Sequence, residues 1–177
     1  MNFKTPKSWR VIPPERYTEF SIINNEDCPC EVGYVIPNKD GGRDVVSVFK
    51  YVGADASFLN ELKINLDRLA GDNKAINDVN DYLEENADGY AVKQAKSLRP
   101  LYYKQGLLCG KKTFLNIMRI ETEIGEAYSL QIFLPIAKDI YCFSTSAAVI
   151  DEKNPFNSFV EENEHVKDLI NVVIKSI

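Results

Sequence analysis

The sequence is poor in the residues from which most active sites are built. It holds a single histidine, His165, among 177 residues. A Ser/His/Asp triad, a two-histidine metal site or a Cys–His nucleophile pair would each have to use that one imidazole. It stands in Glu161-Glu162-Asn163-Glu164-His165-Val166-Lys167, a charged stretch with helical patterning. The expectation is an exposed helix histidine outside any chemistry. Cysteine is scarce as well, at Cys28, Cys30, Cys109 and Cys142. Cys109 and Cys142 sit in apolar, strand-like context, where a thiol packs as a small hydrophobe. Cys28-Pro29-Cys30 lacks the two-residue spacer of redox and zinc motifs, and no second well-spaced pair follows. No metal and no cofactor are expected.

Long apolar runs are missing too. None approaches the roughly 18 residues of a membrane helix, and residues 1–9 lack the apolar core of a signal peptide. The expected setting is the cytoplasm, with no membrane contact. An excess of positive charge is also lacking. Lys plus Arg number 21 against 26 Asp plus Glu, a net charge of −5, which argues against a nucleic-acid footprint.

What remains is ordinary for a folded protein, with 45% hydrophobic and 27% charged residues. A chain of this length buries roughly 70% of its unfolded surface without a staple. No linker, repeat or low-complexity tract interrupts it, so one domain over residues 1–177 is expected.

Periodicity alternates along the chain. Residues 3–14 carry prolines at 6, 13 and 14 and should be extended. Residues 17–23 and 31–36 read as strands. Pro37-Asn38-Lys39-Asp40-Gly41-Gly42 marks a turn into a β-rich run over 44–52, the chain's clearest early hairpin. The period then becomes helical. Asp55 or Ser57 can cap a helix carrying Phe58, Leu62, Leu66 and Leu69, ended by Gly71-Asp72-Asn73. A second helix would place Ile76, Val79 and Leu83 on one face.

From residue 89 the period returns to two. Residues 90–95 and 101–109 read as strands separated by Arg99-Pro100. Residues 113–120 are apolar on both sides, the pattern of a central strand covered on both faces. Residues 126–134 alternate, with Tyr128, Leu130, Ile132 and Leu134 together, and 139–147 follow. Short links make these three an antiparallel meander. A long amphipathic helix closes the chain, with Asn154 as N-cap and Pro155 at its first position. Its stripe runs through Phe156, Phe159, Val160, Val166, Leu169, Ile170, Val173 and Ile177.

Two motifs fail on inspection. Gly106-Leu107-Leu108-Cys109-Gly110-Lys111-Lys112-Thr113 imitates a phosphate loop, but the glycines are one residue too close and a strand follows instead of a helix. A β-turn is expected there. No ladder of Asp and Asn with the glycine and closing glutamate of a calcium loop is found.

One surface stands out by charge. Asp78, Asp81, Glu84, Glu85 and Asp88 put five carboxylates into eleven residues with no lysine or arginine between. Like charges at helical spacing repel by a few tenths of a kcal/mol per pair. That makes the run a candidate surface for a basic protein partner, where charge would set the encounter rate.

The opening Phe3…Pro6…Trp9, the strands, the helices, the three-stranded meander and the final helix ending near Lys175-Ser176-Ile177 together resemble the PsbP/DcrB-like superfamily. Its members include photosystem PsbP, bacterial DcrB, Ran-binding Mog-type factors and the Eag chaperones of type VI secretion. The resemblance implies an α+β fold, an α/β/α sandwich with helices on both faces of a central, mostly antiparallel sheet. It also implies a non-enzymatic role in binding and positioning other proteins. It carries over no catalytic residues. The chain departs from DcrB in lacking a lipoprotein signal and from PsbP in lacking a transit region.

Three functions follow as alternatives. The first is a cytosolic adaptor or chaperone-like module with an apolar groove for a protein partner. The second is an acidic, immunity-type inhibitor that masks a basic partner. The third is a cysteine-based enzyme or thiol sensor, which would need a cysteine in a partly open, electropositive pocket.

Overall fold

The computed structural model of the chain describes residues 3–20, 22, 29–71, 95–108, 110–122 and 125–177. Its centre is a seven-stranded sheet. In chain order the strands are β1 (Arg10–Ile12), β2 (Cys30–Pro37), β3 (Arg43–Tyr51), β4 (Ala95–Leu108), β5 (Lys111–Thr122), β6 (Gly125–Ile136) and β7 (Asp139–Ala147). In space the order is β1-β2-β3-β7-β6-β5-β4, with every neighbouring pair antiparallel.

Three helices flank the sheet among the described residues: α1 (Ala56–Gly71), α2 (Pro155–Glu162) and α3 (Glu164–Lys175). They occupy opposite faces. On one, α2 and α3 bury Phe159, Val166, Leu169 and Val173 against Leu130, Leu134 and Phe143, with Phe3 and Trp9 tucked in from the N-terminus. On the other, α1 sets Leu59 and Leu66 against Phe114, Phe133, Ile140 and Cys142. The α+β sandwich is the expected one. Its mechanism is the alternation of β6 and β7, which turn Leu130, Leu134 and Phe143 to one face and Phe133, Ile140 and Cys142 to the other.

Local chemistry explains the element ends. Asp55 caps α1, its Oδ1 accepting from the Ser57 N–H and hydroxyl at 2.7 Å each. These bonds hold its carboxyl below the usual range. The β2–β3 turn closes through the Asn38 N–H donating to the Gly42 carbonyl at 3.1 Å, with Gly41 at φ 79.

Four expectations are corrected. Residues 14–20 form a 3-10 helix, not a strand. A three-residue turn brings Tyr17 and Phe20 to one side over β2 and β3, and Arg16 pairs with Glu19 outside. The closing helix is two helices, because Asn163 is extended at φ −120 and ψ 97. The centre of the sheet is β7, while β5 lies next to the edge although both its faces are covered. Lastly, β4 runs straight through Arg99-Pro100, with a register shift between Pro100 and Tyr102. An edge strand tolerates a proline, which can leave its missing N–H on the unpaired side.

The second helix expected around Ile76, Val79 and Leu83 falls outside the described residues, as do residues 90–94 of the strand expected over 90–95; Ala95 itself begins β4. No helix among the described residues is long and apolar enough to cross a membrane.

Candidate functional site

The long β4–β5 hairpin and the two C-terminal helices leave a groove between them. The register sets its floor. Tyr102, Lys104, Gly106 and Leu108 of β4 pair with Ile117, Leu115, Thr113 and Lys111 of β5, so alternate residues of both strands look toward α2 and α3. Ile132 of β6 completes the floor, while Phe156 of α2 and Ile170 and Val173 of α3 form the opposite wall. The space measures about 210 Å³ and is open on one side. Tyr102 and Phe156 stack across one end, centroids 6.0 Å apart and planes 22° from parallel.

Gly106 makes room in the floor. A Cβ built on it meets nothing within 4 Å, and its φ is not in the left-handed region. The glycine is therefore not required by the backbone, and its missing side chain leaves space between Lys104 and Leu108. The strand β4 ends at Leu108 and β5 begins at Lys111, with Gly110 at φ 78. Gly106 and Thr113 are paired strand residues, so the expected turn is shorter than the motif that suggested it.

The lining is chemically plain. Among the described residues that form it, only Tyr102 and Lys104 can ionise, and no carboxylate faces them. Nothing there pairs an acid with a base. Across the described residues, no group of three or more histidine, cysteine or carboxylate side chains could hold a metal.

The residues singled out by sequence lie elsewhere. Asp78, Asp81, Glu84, Glu85, Asp88, Cys28 and Cys109 are outside the described residues. Cys30 is half-buried beside Tyr17, whose pKa is pushed up to about 12 by burial first and by the Cys30 thiol second. Cys142 is buried under α1. Neither cysteine lines the groove.

His165 is a correction. It is 5% exposed, with Nδ1 at 3.1 Å from Asp44 Oδ2 and Nε2 at 2.9 Å from Thr145 Oγ1. The extended Asn163 restarts the helix, and the new phase places His165, Leu169 and Val172 inward together.

Sequence reasoning missed the groove because its lining comes from five elements far apart in the chain. Two signals were available. The alternation Tyr102-Lys104-Gly106-Leu108 places a glycine inside a strand, which marks a close approach or an open space. In addition, residues 89–120 contain no carboxylate at all.

No family model matches the chain, and no curated protein is similar to it. Solved structures are. Cyanobacterial PsbP (CyanoP) from Synechocystis aligns over 98% of this chain and 83% of its own, with 14% identity and a TM-score of 0.49. The Ran-binding protein Mog1p of Saccharomyces cerevisiae aligns over 97% and 84%, with 10% identity and a TM-score of 0.45. LpqN of Mycobacterium tuberculosis, involved in cell envelope biogenesis, aligns over 97% and 78%, with 12% identity and a TM-score of 0.40. PsbP and Mog-type proteins are among those that the order of elements resembles. At such identities and scores, these likenesses carry no argument about what this chain does.

Proposed function

We propose that the chain is a non-catalytic, chaperone-like binding module of the cytoplasm that holds an apolar segment of another protein in the groove between the β4–β5 hairpin and α2–α3. The observation that carries this reading is the groove's lining. Tyr102, Leu108, Leu115, Phe156 and Ile170 are half-buried there and gain roughly 25 cal/mol for each Å² of apolar surface covered. From Tyr102 to Leu108, β4 extends roughly 20 Å, the length of about six extended residues of a partner. The lining holds no acid–base pair for chemistry. An apolar groove was the feature expected of the adaptor alternative, and no described thiol opens into it.

Filling the groove from within tests the reading. Gly106→Trp adds a large side chain where even a Cβ meets nothing. Replacing a strand glycine is also not expected to destabilise the sheet. The variant should keep its melting temperature and lose the protein that the wild-type chain retains on purification from its native cells. Retention of the same partner at the same level would contradict the proposal.

A further inference from the structure

The apolar lining of the groove is interrupted at one place. Gly106 lies in the floor with open space above it, and Thr113 stands directly opposite on β5. Thr113 is half-buried, and its hydroxyl makes no hydrogen bond among the described residues.

Two lysines flank this pair on the groove's own face of the sheet. Lys104 pairs with Leu115 and Lys111 pairs with Leu108, and both leucines line the groove. Along the hairpin, Lys104 lies on one side of the Gly106–Thr113 pair and Lys111 on the other. Lys104 is exposed and Lys111 half-buried, and neither makes an ion pair among the described residues. No carboxylate is found in the described lining, so these two amines have no counter-charge within it. Lys112, by alternation, faces the opposite side of the sheet.

Volume sets the size of what fills the space. A cavity of about 150 Å³ holds the six carbons of benzene. At the same packing, the 210 Å³ of the groove holds about eight carbons. Charge and volume together describe a short apolar body with a negative head.

We infer that the groove binds a free medium-chain carboxylate, an amphiphile of about eight carbons whose head sits over Gly106 between Lys104 and Lys111. The carboxylate accepts from the two ammonium groups and from the Thr113 hydroxyl. Its chain lies against Leu115, Ile132, Phe156 and Ile170. The inference goes beyond the protein-segment reading and does not require it. A ligand so seated covers the same apolar surface and would compete with a protein segment for it.

The test titrates the full chain in low salt with sodium octanoate, octan-1-ol and octylammonium chloride. Binding is read from the NMR shifts of the Gly106 and Thr113 amides. Octanoate should bind about ten-fold tighter than octanol, the sum of two partly exposed ion pairs, and octylammonium should bind weakest. Lys104→Gln with Lys111→Gln should bring octanoate down to octanol. Unchanged octanol binding in that variant shows that its groove is intact. Lys112→Gln, on the other face, should leave the preference for octanoate in place.

Equal binding of octanoate and octanol to the wild-type chain would overturn the anionic head. A Lys112→Gln effect as large as that of the double variant would reduce the preference to general attraction and overturn the placement. Tighter binding of octyl phosphate than of octanoate would overturn the carboxylate in favour of a phosphate ester. If octanoate moves neither amide while an apolar peptide carrying one glutamate moves both, the lysines serve a protein partner and the free amphiphile falls. The protein-segment reading is judged separately, by partner retention in wild type and Gly106→Trp.

Discussion

His165 on α3 faces Asp44 at the head of β3, Nδ1 to Oδ2 at 3.1 Å, and ties the C-terminal helix to the middle of the sheet. On its other side, Nε2 lies 2.9 Å from the Thr145 hydroxyl on β7, which also reaches the Val45 carbonyl at 2.7 Å. That hydroxyl has one proton to give. With the ring neutral, Nδ1–H donates to Asp44 and the Thr145 proton turns to Nε2. With the ring charged, both nitrogens donate and the Thr145 proton goes to Val45. Burial is the larger influence and favours the neutral ring, against the attraction of Asp44 and Asp168.

A pH dependence of stability follows. Because burial lowers the folded-state pKa below the ordinary 6.5, the unfolded chain takes up the proton first as pH falls. The contribution of His165 is whole above about pH 6.5 and drains below it, by at most about 1.4 kcal/mol per pH unit. The lowered carboxylates Asp55, Asp67, Asp139 and Glu164 act at lower pH, below their ordinary values of 3.8 to 4.5. Chemical denaturation at several pH values should show stability falling from pH 7 toward pH 5. His165→Gln should flatten that slope, and an unchanged slope would mean that the ring does not titrate there.

A second prediction concerns the packing of the 3-10 helix on β2. A Cβ on Gly33 would lie 2.6 Å from Ile22 Cδ1 and 3.2 Å from Tyr17 Cε1. Gly33→Ala should cost about 1–3 kcal/mol by overpacking. Ile22→Val removes Cδ1, so the double variant should be less destabilised than the sum of the singles. Strict additivity in urea titrations would show that the two residues do not meet.

The third compares the two faces of the sheet. Phe159 of α2 and Leu59 of α1 are both fully buried, in separate clusters. Phe159→Ala should cost about 3–5 kcal/mol and Leu59→Ala about 2–5 kcal/mol. Lacking shared partners, the two should add within about 0.5 kcal/mol.

These residues also show how much was legible in the sequence. Where one face of one element decides burial, periodicity suffices. Tyr128, Leu130, Ile132 and Leu134 alternate and do share a face of β6, and the α1 stripe from Phe58 to Leu69 packs as spaced, with Leu59 added. Where a local break resets the phase, it does not. Asn163 looked like one more polar residue in a helix, yet its extended backbone turns His165 inward. Tyr17 and Phe20 fit a strand pattern poorly and a three-residue turn well, a difference visible only once they cover β2. The groove was the least legible feature. It exists because α2–α3 and the tip of a hairpin do not meet, and local pattern does not encode a gap between distant elements.

The most direct test of the groove as a binding site compares two adjacent residues of β5. Thr113 lines the groove, while Lys112 is exposed and points to the other side of the sheet. A photo-crosslinking amino acid is placed at each position in turn and irradiated in the native cell. The account predicts a discrete crosslinked partner from position 113, absent from position 112 and abolished when Gly106→Trp is added. Equal crosslinking from both positions, or a product at 113 that survives Gly106→Trp, would contradict it.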